Sequence, residues 1–197
     1  MILYPANHTS KITRELGELY PERIGIMNTP GSWKTPTGHY CLDNGCFKRF
    51  DEAAFFSMLE KAKRFHAPKF VACPDVVGCH DRTVALWGFY SRRVVEYGFP
   101  VAFVAQDGCT PSAIPTDADW IFVGGGDPWK SDNIHRFVGL GLPVHVGRIN
   151  TKNNLEYCER LGVDSVDGTG WMRARGKQFN DMMDWFSRNQ RQGVLFT

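Results

Sequence analysis

What most narrows the fold of this 197-residue chain is a rhythm of short apolar runs. Eight of them, apolar or β-branched, recur at 1–4, 23–27, 39–42, 69–73, 100–105, 119–123, 143–146 and 163–166, bounded by Gly, Pro or Asp. They have the length of strands. Between the later runs lie patterns of helical spacing. In 51–66, Phe55, Met58, Leu59, Ala62 and Phe65 mark one face, with Asp51 placed to cap it. In 81–98, Val84, Trp87, Tyr90, Val94 and Tyr97 do the same, and Gly98 stands where a helix C-cap would. Ile134 with Phe137 and Val138, then Leu155 with Cys158, predict two shorter helices, and Phe179, Met182, Met183 and Phe186 a closing one. Strands alternating with helices form parallel βα units. Eight such units predict an α/β fold, a compact (β/α)8 TIM-type barrel over 1–197 as a single domain, near the lower size limit of about 200 residues. An open doubly wound sheet is the alternative.

Composition excludes several classes. Hydrophobic residues at 43% and charged residues at 22% are ordinary for a globular protein. No apolar stretch approaches the roughly 20 residues of a membrane span. The opening MILYPANHTSK has no basic segment followed by an apolar one, which predicts no signal peptide and a cytoplasmic protein. The six cysteines form no CxxC pair, and no histidine falls in HxH or HExxH. Buried free thiols are therefore expected, with no zinc site. A net charge of +2 is too small to announce a nucleic-acid partner. The last 30 residues are locally basic: Arg173, Arg175, Lys177, Arg188 and Arg191 face only Asp181 and Asp184. A solvated helix face accounts for that pattern as well as a binding surface does.

Polar residues collect where the predicted strands end. Asp43 follows 39–42, Asp75 follows 69–73, and Gln106 with Asp107 follow 100–105. Gly124 to Gly126 follow 119–123, Gly147 and Arg148 follow 143–146, and Asp167 follows 163–166 in the segment GVDSVDGTG. A lone Asp-Gly is a turn. In a parallel barrel, however, the C-terminal strand ends share one face, where active sites are built. Three carboxylates, an amide and exposed glycine backbone suit a flat hydrogen-bonding ligand such as a purine base. Phe47 could stack on it or belong to the core. Carboxylates also serve glycosidic-bond chemistry, one as nucleophile and another moving protons. FVGGGDPWK lacks the spacing of a phosphate-binding P-loop.

In order, these motifs resemble those of the tRNA-guanine transglycosylase superfamily, and more closely its short phage-type relatives that modify DNA. DNGCF at 43–47 resembles the family's DSGG-aromatic segment, CPD at 73–75 its base-reading Asp motif, and VAQDG at 104–108 its glutamine after a strand. VGGGDPWK at 123–130 resembles the GG loop, VHVGR at 144–148 the hydrophobic-MGVG segment, and GVDSVDG at 162–168 the nucleophile motif. The resemblance implies that Asp167 attacks C1′ and releases guanine, while Asp43 handles the proton of the departing and incoming base. It implies that Asp75 and Gln106 read the polar edge of guanine or a 7-deazaguanine, with backbone contacts from Gly124 or Gly125. Phe47 would stack on the base, and Val146 and Gly147 would line its other side.

The sequence departs from the family at several points. The zinc cluster of the tRNA enzymes is missing, Asn44 and Cys46 replace small residues, and GTGW follows Asp167 in place of PTR. The resemblance without the zinc subdomain implies exchange of guanine in DNA for a 7-deazaguanine such as preQ0, with the free base as second partner and no cofactor; no membrane partner is expected from the hydropathy. Arg148, Arg173, Arg175 and Lys177 stand beside or after the site motifs, in position to hold phosphate. The alternatives are a tRNA or nucleoside enzyme of the same fold, a silent nucleic-acid-binding barrel, and a metabolic barrel that cradles phosphate on VGGG and HVGR.

Overall fold

The computed structural model describes residues 1–5, 11–172 and 176–193. Its eight strands are β1 (Ile2–Pro5), β2 (Gly25–Asn28), β3 (His39–Leu42), β4 (Val71–Ala72), β5 (Val101–Ala105), β6 (Trp120–Val123), β7 (Val144–Val146) and β8 (Ser165–Gly168). All pair in parallel, in the order β1-β8-β7-β6-β5-β4-β3-β2. The two end strands meet through a Leu3–Ile24 bridge, with the Leu3 N–H donating to Arg23 O at 2.8 Å. The sheet thus closes into a (β/α)8 barrel, and the open-sheet alternative falls.

Six α-helices surround it among the described residues: α1 (Lys11–Leu19), α2 (Glu52–Ala62), α3 (His80–Val95), α4 (Asp127–Val138), α5 (Lys152–Leu161) and α6 (Lys177–Gly193). The connection from β2 to β3 carries no helix, and that from β5 to β6 only a single 3₁₀ turn at Pro111–Ala113. Replacing two crossover helices by loops is how 197 residues complete a barrel that ordinarily takes about 250.

Local chemistry explains the elements. Asp51 accepts the Ala54 N–H at 3.0 Å and starts α2. Phe55, Met58, Leu59 and Ala62 then turn one buried stripe toward the strands. In α3, Trp87, Tyr90 and Val94 are buried as expected, but Val84 is exposed and Thr83 takes its place. Thr83 bonds the Val76 N–H and the Cys79 carbonyl, a polar anchor that hydrophobic periodicity misses. Strand residues alternate between two cores. Outward residues such as Val71, Val123, Val144 and Val166 pack under the helices. Inward ones, including Tyr4, Cys41, Phe70, Ala72, Val104 and Phe122, fill the barrel. No helix among the described residues is long and apolar enough to cross a membrane.

Candidate active site

Above the inner core, at the C-terminal ends of the strands, lies a cavity of about 450 Å³. Its walls include Asp43, Asp75, Gln106, Gly124, Gly147 and Asp167. These residues come from six different strand ends; alternation aims all but Asp75 inward, and Asp75, past the end of β4, is held toward the cavity by Asn44 and Gln106. Phe47 stands at the mouth, 68% exposed, so it is not a core residue. The Arg148 guanidinium lies 5.4 Å from its ring centroid.

Asp43 and Asp75 differ in their surroundings. Burial pushes the Asp43 carboxyl up, and the charges of Asp167 and then Asp75 add to the effect, bringing it to about 7. It receives the Gly45 N–H at 3.3 Å. Asp75 is 8% exposed and is also raised by burial, opposed by two amide donors. Asn44 Nδ2 donates to its Oδ1 at 2.8 Å and Gln106 Nε2 to its Oδ2 at 2.6 Å. Gln106 Oε1 accepts the Gly78 N–H at 2.9 Å, which fixes the amide orientation and leaves one N–H of Nε2 for a ligand.

The two departures in the first motif acquire a structural reason here. Asn44 also donates to Cys73 O at 2.7 Å and accepts the Cys46 N–H at 2.8 Å, while Cys46 Sγ accepts the Asp75 N–H at 3.4 Å. Asn44 and Cys46 thereby bind the loop after β3 to the loop after β4 and hold Asp75 in place.

The segment GVDSVDG divides its two acids. Asp164 accepts the Val144 N–H at 2.8 Å, a structural tie between β7 and β8. Asp167 faces the cavity with its side chain 15% exposed. Its Oδ1 accepts the Arg148 N–H at 3.2 Å, and its Oδ2 lies 3.1 Å from His145 Nε2. The arrangement brings strain with it. Arg148 is a non-glycine residue at φ 61°, a left-handed conformation that costs on the order of 1–2 kcal/mol. That conformation points its N–H at Asp167, while its guanidinium donates to Gly124 O at 3.0 Å and Gly125 O at 2.7 Å.

Some expected contacts lie elsewhere. Val146 is buried in the outer core, because the inward positions are His145 on β7 and Gly147 just past it. Gly125 does not line the cavity; a Cβ there would meet the Trp129 ring at 2.4 Å, and its carbonyl serves Arg148. Lys177, on α6, pairs with Asp181 at 2.8 Å, away from the cavity walls. Arg173 and Arg175 lie outside the described residues. The phosphate cradle suggested by VGGG is occupied from within: Asp107 Oδ2 accepts the Gly126 N–H, at the start of α4, at 3.0 Å.

Two functional-looking residues escaped sequence reasoning. Lys130 is 3% exposed, bonds Gly147 O at 2.7 Å and pairs with Asp127 at 3.0 Å; burial lowers its pKa. His145 is wholly buried beneath Asp167. A β7 register that aims alternate residues inward was the signal that could have found His145; Lys130, three residues into a helix, offered none. Among the described residues no three His, Cys, Asp or Glu side chains gather as a metal site.

No protein-family model and no curated protein matches this sequence. Among solved structures, the chain is similar to the Bacillus subtilis YkuI protein, which has an EAL domain and was solved with its substrate c-di-GMP and calcium. Identity is 11% and the TM-score 0.40, over 80% of this chain and 46% of that one. The chain spans less than half the length of that protein.

Proposed function

We propose that the protein is a base-exchange glycosyltransferase that replaces guanine in DNA by a 7-deazaguanine such as preQ0. The observation that carries this reading is a pair of carboxylates on one cavity with Asp43 brought to about 7 beside Asp167, opposite a prearranged Asp75–Gln106 pair. A carboxyl near 7 can give and take a proton at neutral pH.

In the first half-reaction an Asp167 oxygen attacks C1′ of the target nucleotide. The C1′–N9 bond breaks, its electron pair leaves with guanine, and protonated Asp43 donates its proton to the departing base. In the second, N9 of the incoming base attacks C1′, the aspartyl–sugar bond breaks, and Asp43 takes the N9 proton. Each Asp167 oxygen accepts one hydrogen bond and keeps a lone pair for attack. Asp75 and the remaining Gln106 N–H meet the polar edge of the base, and Phe47 offers it a face. A duplex target must first be flipped out, at a cost of a few kcal/mol.

The test is nucleoside mass analysis of duplex DNA, single-stranded DNA and tRNA after incubation with purified protein and preQ0. A 7-deazaguanine deoxynucleoside is expected, together with a protein–DNA adduct trapped in the native protein and absent from Asp167→Asn. Modification of tRNA alone, or turnover retained in Asp167→Asn, refutes the assignment.

A further inference from the structure

The barrel interior is largely apolar and aromatic, and a hydrogen-bonded line of polar groups runs through it. His145 and Ser165 are register partners on adjacent strands, and His145 Nδ1 lies 2.9 Å from Ser165 Oγ. On the other side of the ring, Nε2 lies 3.1 Å from Asp167 Oδ2. Tyr4, Phe70 and Phe122 surround the ring, with centroids at 5.9, 5.1 and 4.5 Å, and enclose it completely. An imidazole in such a place is tolerated when both nitrogens are bonded. A carboxylate only accepts, so Nε2 carries the hydrogen and donates to Asp167, and Nδ1 accepts from the Ser165 hydroxyl.

We infer that His145, oriented by Ser165, is the positioning residue that holds the Asp167 carboxylate in its attacking rotamer. The inference rests on the proposed nucleophilic role of Asp167. Two donors from β7 and the turn just past it grip that carboxylate: His145 Nε2 on Oδ2 and the Arg148 N–H on Oδ1. A carboxylate held at both oxygens cannot swing about its χ angles. Misplacement of a reacting group by about 1 Å costs on the order of 10² in rate. The other ionisable groups near this line are Asp43 and the Cys41 thiol on the β3 side, Tyr4 on β1 and Lys130 on α4. The imidazole nitrogens bond Ser165 and Asp167, so the hold on Asp167 from within the barrel comes through His145.

The test compares His145→Phe, His145→Gln and Ser165→Ala with the native protein. Phe fits the aromatic surroundings and removes both nitrogens, whereas Gln restores a donor at the Nε2 position. Single-turnover adduct formation should fall by about 10²-fold in His145→Phe, with the affinity for free preQ0 within about twofold of native. His145→Gln should recover to within about tenfold of native, and Ser165→Ala should lose less than His145→Phe. A purely structural role would lower the melting temperature alike in Phe and Gln without this split.

Nitrogen-15 spectra of the histidine rings give a readout that needs no turnover. Nε2–H with unprotonated Nδ1 is expected in the native protein, with the Nε2–H resonance displaced in Asp167→Asn. Native adduct rates in His145→Phe, no recovery in His145→Gln, or an Nδ1–H tautomer would overturn the inference. If the native protein exchanges no base, the proposed function fails, and the ring spectra still decide whether His145 holds Asp167.

Discussion

Replacing Asp43 by Asn should stabilise the protein, and more so at alkaline pH. In the folded protein the carboxyl is raised by burial and by the neighbouring Asp167 and Asp75 charges, from 3.8 to about 7. Between those values the folded state holds a proton that the unfolded state has released. Stability is therefore full below about 4 and declines as pH rises through about 7. At about 1.4 kcal/mol per pH unit the whole displacement corresponds to roughly 4 kcal/mol. Partial solvent access to the carboxyl screens the interaction, and about 2 kcal/mol is the expected loss. Asn keeps the shape and the hydrogen-bonding capacity but never ionises, so it escapes that loss. Urea unfolding of native protein and Asp43→Asn at pH 4 and pH 8 isolates the effect as a difference of differences, cancelling every other titration the two proteins share. The variant should gain about 2 kcal/mol on the native protein between the two pH values, or several degrees of melting temperature. An equal difference at both values refutes the raised carboxyl, and with it the proton shuttle assigned to Asp43.

Further outcomes follow from other parts of the site. Asp75→Ala leaves the donors of Asn44 and Gln106 unpaired, and Gln106→Ala does the same to the Gly78 N–H; each should weaken free deazaguanine about tenfold or more by calorimetry. Unchanged affinity in both would place base binding elsewhere. Gly147→Ala puts a Cβ 2.6 Å from the Phe122 ring and 3.4 Å from Asp167 Oδ2. It should cost about 1–3 kcal/mol of stability, read from urea midpoints, and slow adduct formation. Charge-removing changes at Arg173, Arg175 and Lys177 should flatten the salt dependence of DNA binding by about 0.9 in log–log slope for each phosphate no longer neutralised. An unaltered slope in the triple variant removes these residues from the DNA path.

The strands were legible because each is a short apolar run with a breaker at its end, a signal that survives without knowledge of partners. Bounds shift by a residue or two: β2 runs Gly25–Asn28, β4 shortens to Val71–Ala72, and β8 extends through Gly168, since Asp167 continues the ladder beside Tyr4 instead of leaving it. The convergence of Asp43, Asp75, Gln106 and Asp167 followed from topology alone, because parallel strands deliver their C-terminal ends to one face. Facing direction was harder to read. Val146 lies in the same short strand as His145, and only the register decides which of them looks inward. α1 has no counterpart among the predicted helices. The sequence also hides partners such as the Asn44–Asp75 bond, which joins residues 31 positions apart.

The first strand of this barrel pairs with the eighth, and the Tyr4–Asp167 register spans nearly the whole chain. That pairing closes the longest loop in the sheet, and contacts of such sequence separation form late and slowly. As the chain leaves the ribosome, seven strands are available before β8 emerges, and β1 must wait for a partner on one side. Tyr4, Ser165, Asp167 and the ring of His145 therefore assume their relations in the closing step of folding. Until then, the inner faces of β1 and β7 are open to water and to other chains.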